Sequence, residues 1–109
     1  MEKLPKTFNM GDIDGIIESS VDVLYNFTAA NSVDAQLMFC DDKVYLLFPQ
    51  DTMGAAICTP MSFGYDDVAG TSKFLFKFRI HLKDGTKLEF SNIGGKKREM
   101  ILAALETHK

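Results

Sequence analysis

The chain has little that could staple it, anchor it or hold a metal. Its 109 residues include two cysteines, Cys40 and Cys58, too few for a disulfide framework. Each lies inside an apolar run, where a free thiol packs as a small hydrophobe, and a reducing compartment is the simpler setting. Uninterrupted apolar stretches last only a few residues, against the roughly 20 that a membrane-spanning helix needs. Residues 1–15 contain no continuous apolar segment of the kind that marks a secretory signal, and neither end carries a lipidation motif. A cytoplasmic address is the default expectation. Low-complexity tracts are absent.

The chemistry of catalysis is equally sparse. The two histidines, His81 and His108, fall on separate predicted elements, and the cysteines lack CxxC spacing, so there is no zinc pattern. A nucleophilic cysteine needs a nearby base and an electropositive, open setting, whereas both cysteines sit among core-type residues. Asp41-Asp42 and Asp66-Asp67 are paired carboxylates at predicted turns, where aspartate is common because its side chain bonds nearby backbone. Gly94-Gly95 lacks the spacing of a phosphate loop. These readings predict no enzyme, no metal and no cofactor.

What the chain does have is enough for one domain. A chain of this size buries about two-thirds of its unfolded surface, sufficient for a core without staples. The net charge of −3 hides an uneven distribution. Residues 1–69 hold three Lys against eleven Asp and Glu, a net −8, and residues 70–109 hold nine Lys and Arg against four acids, a net +5. Such a division can steer a partner or favour head-to-tail association, unless interleaved strands mix the charges over the surface.

Along the chain, residues 1–20 read as an arm with a short helix over Asp12–Ser20, from Ile13, Ile16 and Ile17 at helical spacing. Residues 21–107 read as the domain. Val21–Ala30 is a strand, and residues 31–34 are a turn. Ala35–Cys40 and Lys43–Phe48 form a hairpin through Asp41-Asp42. A loop follows at residues 50–54, then a strand over Ala55–Phe63, and a turn at residues 65–68. Lys73–Leu82 reads as one long strand, with Phe74, Phe76, Phe78, Ile80 and Leu82 on its core face. In the next hairpin, a two-residue loop would put Lys87 on that core face. A three-residue loop, Lys83-Asp84-Gly85 with Gly85 left-handed, instead pairs Ile80 with Leu88, Phe78 with Phe90 and Arg79 with Glu89. Burial of apolar residues decides register, so the three-residue loop is predicted. Residues 96–107 form a helix with Ile101, Leu102 and Leu105 in its apolar stripe. One helix cannot cover an open sheet on both faces. The predicted class is therefore α+β, mainly β: a bent sheet or barrel of six to seven antiparallel strands closed by one C-terminal helix.

This order of parts resembles the pleckstrin-homology-like superfamily, with bacterial PH-like and GRAM-like domains nearest in pattern. The residues that carry the resemblance are 23–27, 36–48, 61–68, the Phe-rich hairpin 76–90 and the helix from Lys96 to Leu105. The resemblance implies a non-catalytic binding module that contacts a protein partner or itself, with homo-oligomers included. It also implies that headgroup binders of the family use a basic cluster in the first inter-strand loop. The corresponding residues here, 31–34, contain no Lys or Arg, which disfavours headgroup binding at that loop.

For such a module the expected contact surfaces are an edge strand, which can pair with another chain, or the groove beside the helix. Two groups of residues also stand out as candidates. Lys96, Lys97 and Arg98 open the C-terminal helix after two glycines, and with Lys73 they suit an anion or acidic lipid, the alternative to a protein partner. The competing reading is a solvated helix start. Lys77 and Arg79 lie on the outer face of the Phe-rich hairpin and, with Met53 in its loop, are candidate partner contacts. That face lacks interleaved exposed aromatics, and nucleic acid is disfavoured.

Overall fold

A computed structural model describes residues 1–108 of the chain. Among these residues eight strands form one antiparallel sheet: β1 (Glu2–Lys3), β2 (Ile17–Asn26), β3 (Ser32–Cys40), β4 (Lys43–Leu47), β5 (Met61–Gly64), β6 (Val68–Phe74), β7 (Lys77–Leu82) and β8 (Lys87–Ser91). Two helices complete the fold, α1 (Met53–Ile57) and α2 (Gly95–Thr107). The order across the sheet is β1-β5-β4-β3-β2-β8-β7-β6, so the sheet bends without closing and β1 and β6 are its two edges.

The predicted class is the observed one, mainly β with a single long helix at the end. The strand count exceeds the expected six to seven because β1 joins the edge of the sheet and the expected strand over Lys73–Leu82 contains a turn, so that its first residues end β6 and the rest form β7. Alternation builds the core. Val21, Val23, Leu37, Phe39, Val44, Leu46, Phe63, Phe78, Ile80 and Phe90 point inward from successive strands, and Ile101 and Leu105 of α2 cap them. A smaller cluster of Met38, Cys40, Tyr45 and Leu47 fills the other face, covered by Leu4, Phe8 and Ile13 from the N-terminal segment. Phe8 stacks on Tyr45 at 5.5 Å between ring centroids. Residues 1–13 are therefore used to cover the sheet.

The β7–β8 hairpin forms in the predicted register, with Phe78 opposite Phe90, Arg79 opposite Glu89 and Ile80 opposite Leu88. The Leu82 N–H donates to the Thr86 carbonyl at 2.8 Å and the Gly85 N–H to the Leu82 carbonyl at 3.0 Å. Gly85 has φ 91°, the left-handed position such a loop reserves for glycine. Arg79 Nε donates to Glu89 Oε2 at 2.6 Å, and Asn26 Nδ2 donates to Glu89 Oε1 at 2.7 Å. Those two hydrogen bonds, that of Asn26 foremost, hold the Glu89 carboxyl below its usual range.

Four local expectations are corrected. No helix spans Asp12–Ser20: a 3-10 turn at Met10–Asp12, capped by Asn9, is followed by β2 from Ile17, and Ile16 is exposed. The turn after β2 falls at residues 27–31, so β3 already begins at Ser32. The start of the expected strand Ala55–Phe63 is helical instead. The Thr52 hydroxyl accepts from the Ala55 N–H and caps α1, and the strand shortens to β5. The expected strand Lys73–Leu82 breaks at Leu75-Phe76, where Phe74 pairs with Lys77 across a two-residue loop.

Candidate functional site

Two features of the fold have no structural explanation within the core: a groove along the β6 edge, and the tip of the β6–β7 hairpin.

β6 reads Val-Ala-Gly-Thr-Ser-Lys-Phe, small and polar along most of its length. It bonds to β7 on one side and to no strand on the other. Its ladder shifts between Val68 and Gly70, leaving Ala69 as a bulge, a common device at a sheet edge. α2 lies across the opening beside it. Between them runs a groove of about 510 Å³, lined by Tyr65, Val68, Gly70, Thr71, Leu102 and Leu105. Leu105 anchors α2 in the core, whereas Leu102 is partly exposed and faces the groove. The predicted apolar stripe of the helix thus divides between packing and display.

One end of the groove is held by a tight cluster. The Tyr65 ring stacks on His108 at 4.1 Å between centroids, and its hydroxyl donates to the Cys40 carbonyl at 2.5 Å. His108 Nε2 lies 2.6 Å from Glu18 Oε1, tying the end of α2 to the start of β2. Burial, followed by the Glu18 charge, pushes the Tyr65 hydroxyl well above its ordinary pKa.

At the far end of β6 the hairpin tip is apolar and open. Phe74 is 71 % exposed, Leu75 77 % and Phe76 68 %. Phe74 and Phe76, expected on the core face, lie outside it because the chain reverses before the run reaches the core. Leu75 has φ 56°, a left-handed conformation that a bulky residue adopts at a cost of roughly 1–3 kcal/mol. Lys73, Lys77 and Arg79 flank the tip and share a shallow hollow with Ser72 and Phe74. The Ile93 N–H donates to the Phe76 carbonyl at 2.7 Å, which brings the segment leading into α2 against the tip.

The candidates from sequence fall as follows. Lys73, Lys77 and Arg79 surround the tip, with Arg79 partly engaged by Glu89. Lys96, Lys97 and Arg98 form the first turn of α2 just after Ile93, with Gly94 as cap and no side-chain capping bond. Met53 is 71 % exposed at the start of α1, away from these cations, and lines a separate small hollow with Leu24 and Val33. The sequence points to an edge strand and to the groove beside the helix as contact surfaces without assigning residues to them, and it puts Phe74 and Phe76 on the core face.

Cys40 and Cys58 are free and buried. Burial first, then the carboxylates of Asp42, Asp41 and Glu18, push the Cys40 thiol from about 9 up to about 11. At pH 8 a thiol with that pKa is ionised in roughly one molecule in a thousand. Iodoacetamide should therefore modify Cys40 only as fast as the protein opens, with labelling by mass spectrometry tracking urea concentration. Rapid labelling of native protein would contradict the buried placement. The sign for stability follows from the same shift. The folded state holds the proton more tightly, so stability falls as pH rises from about 9 through about 11. His81 Nε2 meets Ser72 Oγ at 2.8 Å, and His108 is committed to Tyr65 and Glu18, so the two histidines do not share a site.

No protein-family model matches the sequence, and no curated protein matches it. Solved structures do match the fold. The C-terminal domain of an unknown protein from Leishmania infantum superposes with a TM-score of 0.64 at 15 % identity, over 86 % of this chain and 84 % of that one. The DH/PH fragment of PDZRHOGEF, solved with human RhoA, gives 0.67 at 13 % identity, over 86 % of this chain and 28 % of that one. The FERM and C-terminal domain complex of Drosophila Merlin gives 0.59 at 17 % identity, over 85 % and 30 %. The chain thus spans under a third of the two multidomain neighbours, and what it shares with all three is a fold, the PH-like bent sheet with its closing helix.

Proposed function

We propose that this protein is a non-catalytic binding module that takes an extended segment of a partner protein as an added strand on the free edge of β6. The observation that carries this reading is the coincidence of an unpaired strand edge with an apolar groove under α2. An added strand would satisfy the open main-chain groups of β6, and its alternate side chains would enter the groove against Leu102 and Leu105. The small residues of β6 leave room for them. Two neighbours of the same fold were solved in complexes with proteins or protein domains, which supports a protein as the partner class. The order of strands with one closing helix supports a place among bacterial PH-like and GRAM-like domains. The free, buried cysteines are in keeping with a cytoplasmic setting.

Peptide-display selection on the native protein, followed by amide chemical-shift mapping, tests this. Selected peptides should be extended and apolar at alternate positions, with shifts confined to β6 and α2. A Cβ at Gly70 would meet nothing within 4 Å, so Gly70→Leu should fold normally while filling the groove. It should weaken the selected peptides at least about tenfold, the equivalent of one lost apolar side-chain contact. Shifts elsewhere on the molecule, or unchanged affinity in Gly70→Leu, would sink the reading. Pairing of β6 with a second copy would appear instead as a concentration-dependent dimer in light scattering.

A further inference from the structure

We propose that the β6–β7 tip docks on an anionic lipid surface, with Phe74, Leu75 and Phe76 entering the interface and the surrounding cations facing the headgroups. Three consecutive large apolar side chains, each more than two-thirds exposed, form a contiguous protruding patch that the core does not use. Such patches on a folded domain mark contact surfaces. The sequence at the turn also runs against the needs of the fold. A two-residue hairpin loop with a left-handed first position favours glycine or asparagine, yet Leu75 occupies it at φ 56°.

Charge selects the occupant. No acidic residue stands between Asp67 and Asp84 in sequence, while Lys73, Lys77 and Arg79 do. Glu89 of β8 pairs with Arg79 at 2.6 Å and lies 4.0 Å from Lys77, so these three cations together outnumber the one acid beside them and Lys73 carries the charge that Glu89 does not meet. Lys96, Lys97 and Arg98 add to them, because the Ile93–Phe76 backbone bond holds the segment leading into α2 beside the tip. That bond also satisfies a carbonyl which would otherwise carry its full cost into a poorly hydrated interface. A projecting apolar tip with a basic collar matches the layered chemistry of an anionic bilayer, acyl chains beneath negative headgroups. An acidic cleft on a partner protein would have to be concave to accept it, and is the competing occupant. This surface is separate from the groove and does not depend on it.

The test is co-sedimentation with phosphatidylserine/phosphatidylcholine vesicles against phosphatidylcholine alone, at low and high salt. Binding should require phosphatidylserine and fall with salt. Phe74→Ser and Phe76→Ser should each reduce partitioning at least about tenfold. Lys96→Glu and Lys97→Glu should each reduce it about fivefold or more. Leu75→Asn relieves the backbone conformation, so its Tm should not fall while its partitioning does, which separates lost docking from lost folding. The chain has no tryptophan, so Phe76→Trp supplies a unique probe whose emission should move to the blue on adding anionic vesicles. Equal binding to both vesicle types, no binding to either, or tip variants that partition like the parent would overturn the proposal. So would a blue shift that follows protein concentration without lipid, which would assign the tip to a protein contact. Gly70→Leu should leave vesicle binding intact, so the groove and the tip can fail independently.

Discussion

Phe90→Ala should destabilise the protein by about 3–5 kcal/mol, whereas Phe76→Ala, from the same Phe-rich region, should cost no more than about 0.5 kcal/mol. Phe90 is fully buried on β8, opposite Phe78 and 5.9 Å from the Tyr25 ring. Truncation there leaves a cavity between two strands that cannot collapse together without breaking the ladder between β7 and β8. Phe76 is 68 % exposed at a hairpin tip and leaves nothing behind. Urea unfolding measures both. The midpoint should drop sharply for Phe90→Ala with little change in slope, and Tm should fall by roughly 4 °C for each kcal/mol in a domain of this size. A domain whose whole stability is about 5–15 kcal/mol would keep little margin. Comparable losses in the two variants would mean that Phe76 packs into the core, and the break at Leu75 would be wrong.

That contrast also shows where the sequence is legible and where it is not. The register of the β7–β8 hairpin could be read because Gly85 marks the loop and only one pairing buries Ile80, Phe78, Leu88 and Phe90 together. The Asp41-Asp42 turn was equally plain between two apolar runs. The β6–β7 turn was not. Alternation of apolar residues continues unbroken from Phe74 to Leu82, and the chain reverses at a leucine, with no Gly, Pro, Asn or Asp to announce it. The missed turn hid the tip and the identity of the edge strand. It placed Phe74 and Phe76 in the core, and it left Val68–Ser72 outside any strand, so the edge that borders the groove had no residues assigned to it. α1 was missed for a different reason. Ala55-Ala56-Ile57-Cys58 suits a strand or a helix, and Thr52 as a capping residue was the only local signal. The helix expected near Ile13, Ile16 and Ile17 came from spacing alone, and pairing of β2 with β3 overrode it. Spacing marks the long helix as an element, but it does not say that Leu102 lines a groove while Leu105 both borders that groove and anchors the helix in the core.

Ile101→Ala should cost about 2–4 kcal/mol and should weaken groove ligands by more than the loss of one contact explains. Within α2 only Ile101 and Leu105 are buried, so the helix rests on two core side chains and on the Tyr65–His108–Glu18 cluster at its end. Its thirteen residues are too few to stay helical in water by propensity alone, so an undocked α2 would also unfold. Removing the Ile101 side chain therefore acts first on helix docking, and a ligand that needs α2 in place pays for the fraction of molecules in which it is displaced. Ile101 lies beneath the helix, whereas Leu102 and Leu105 face the groove, so direct contact is not what the substitution removes. Hydrogen exchange separates the two causes. Amides of α2 should lose protection well before those of β3 and β4, and affinity for a selected groove peptide should fall by the same factor as the docked population. If exchange rises uniformly over sheet and helix, α2 opens only with the whole domain. The groove would then be a rigid part of the fold, and Ile101→Ala would leave peptide affinity unchanged at temperatures where the protein is still native.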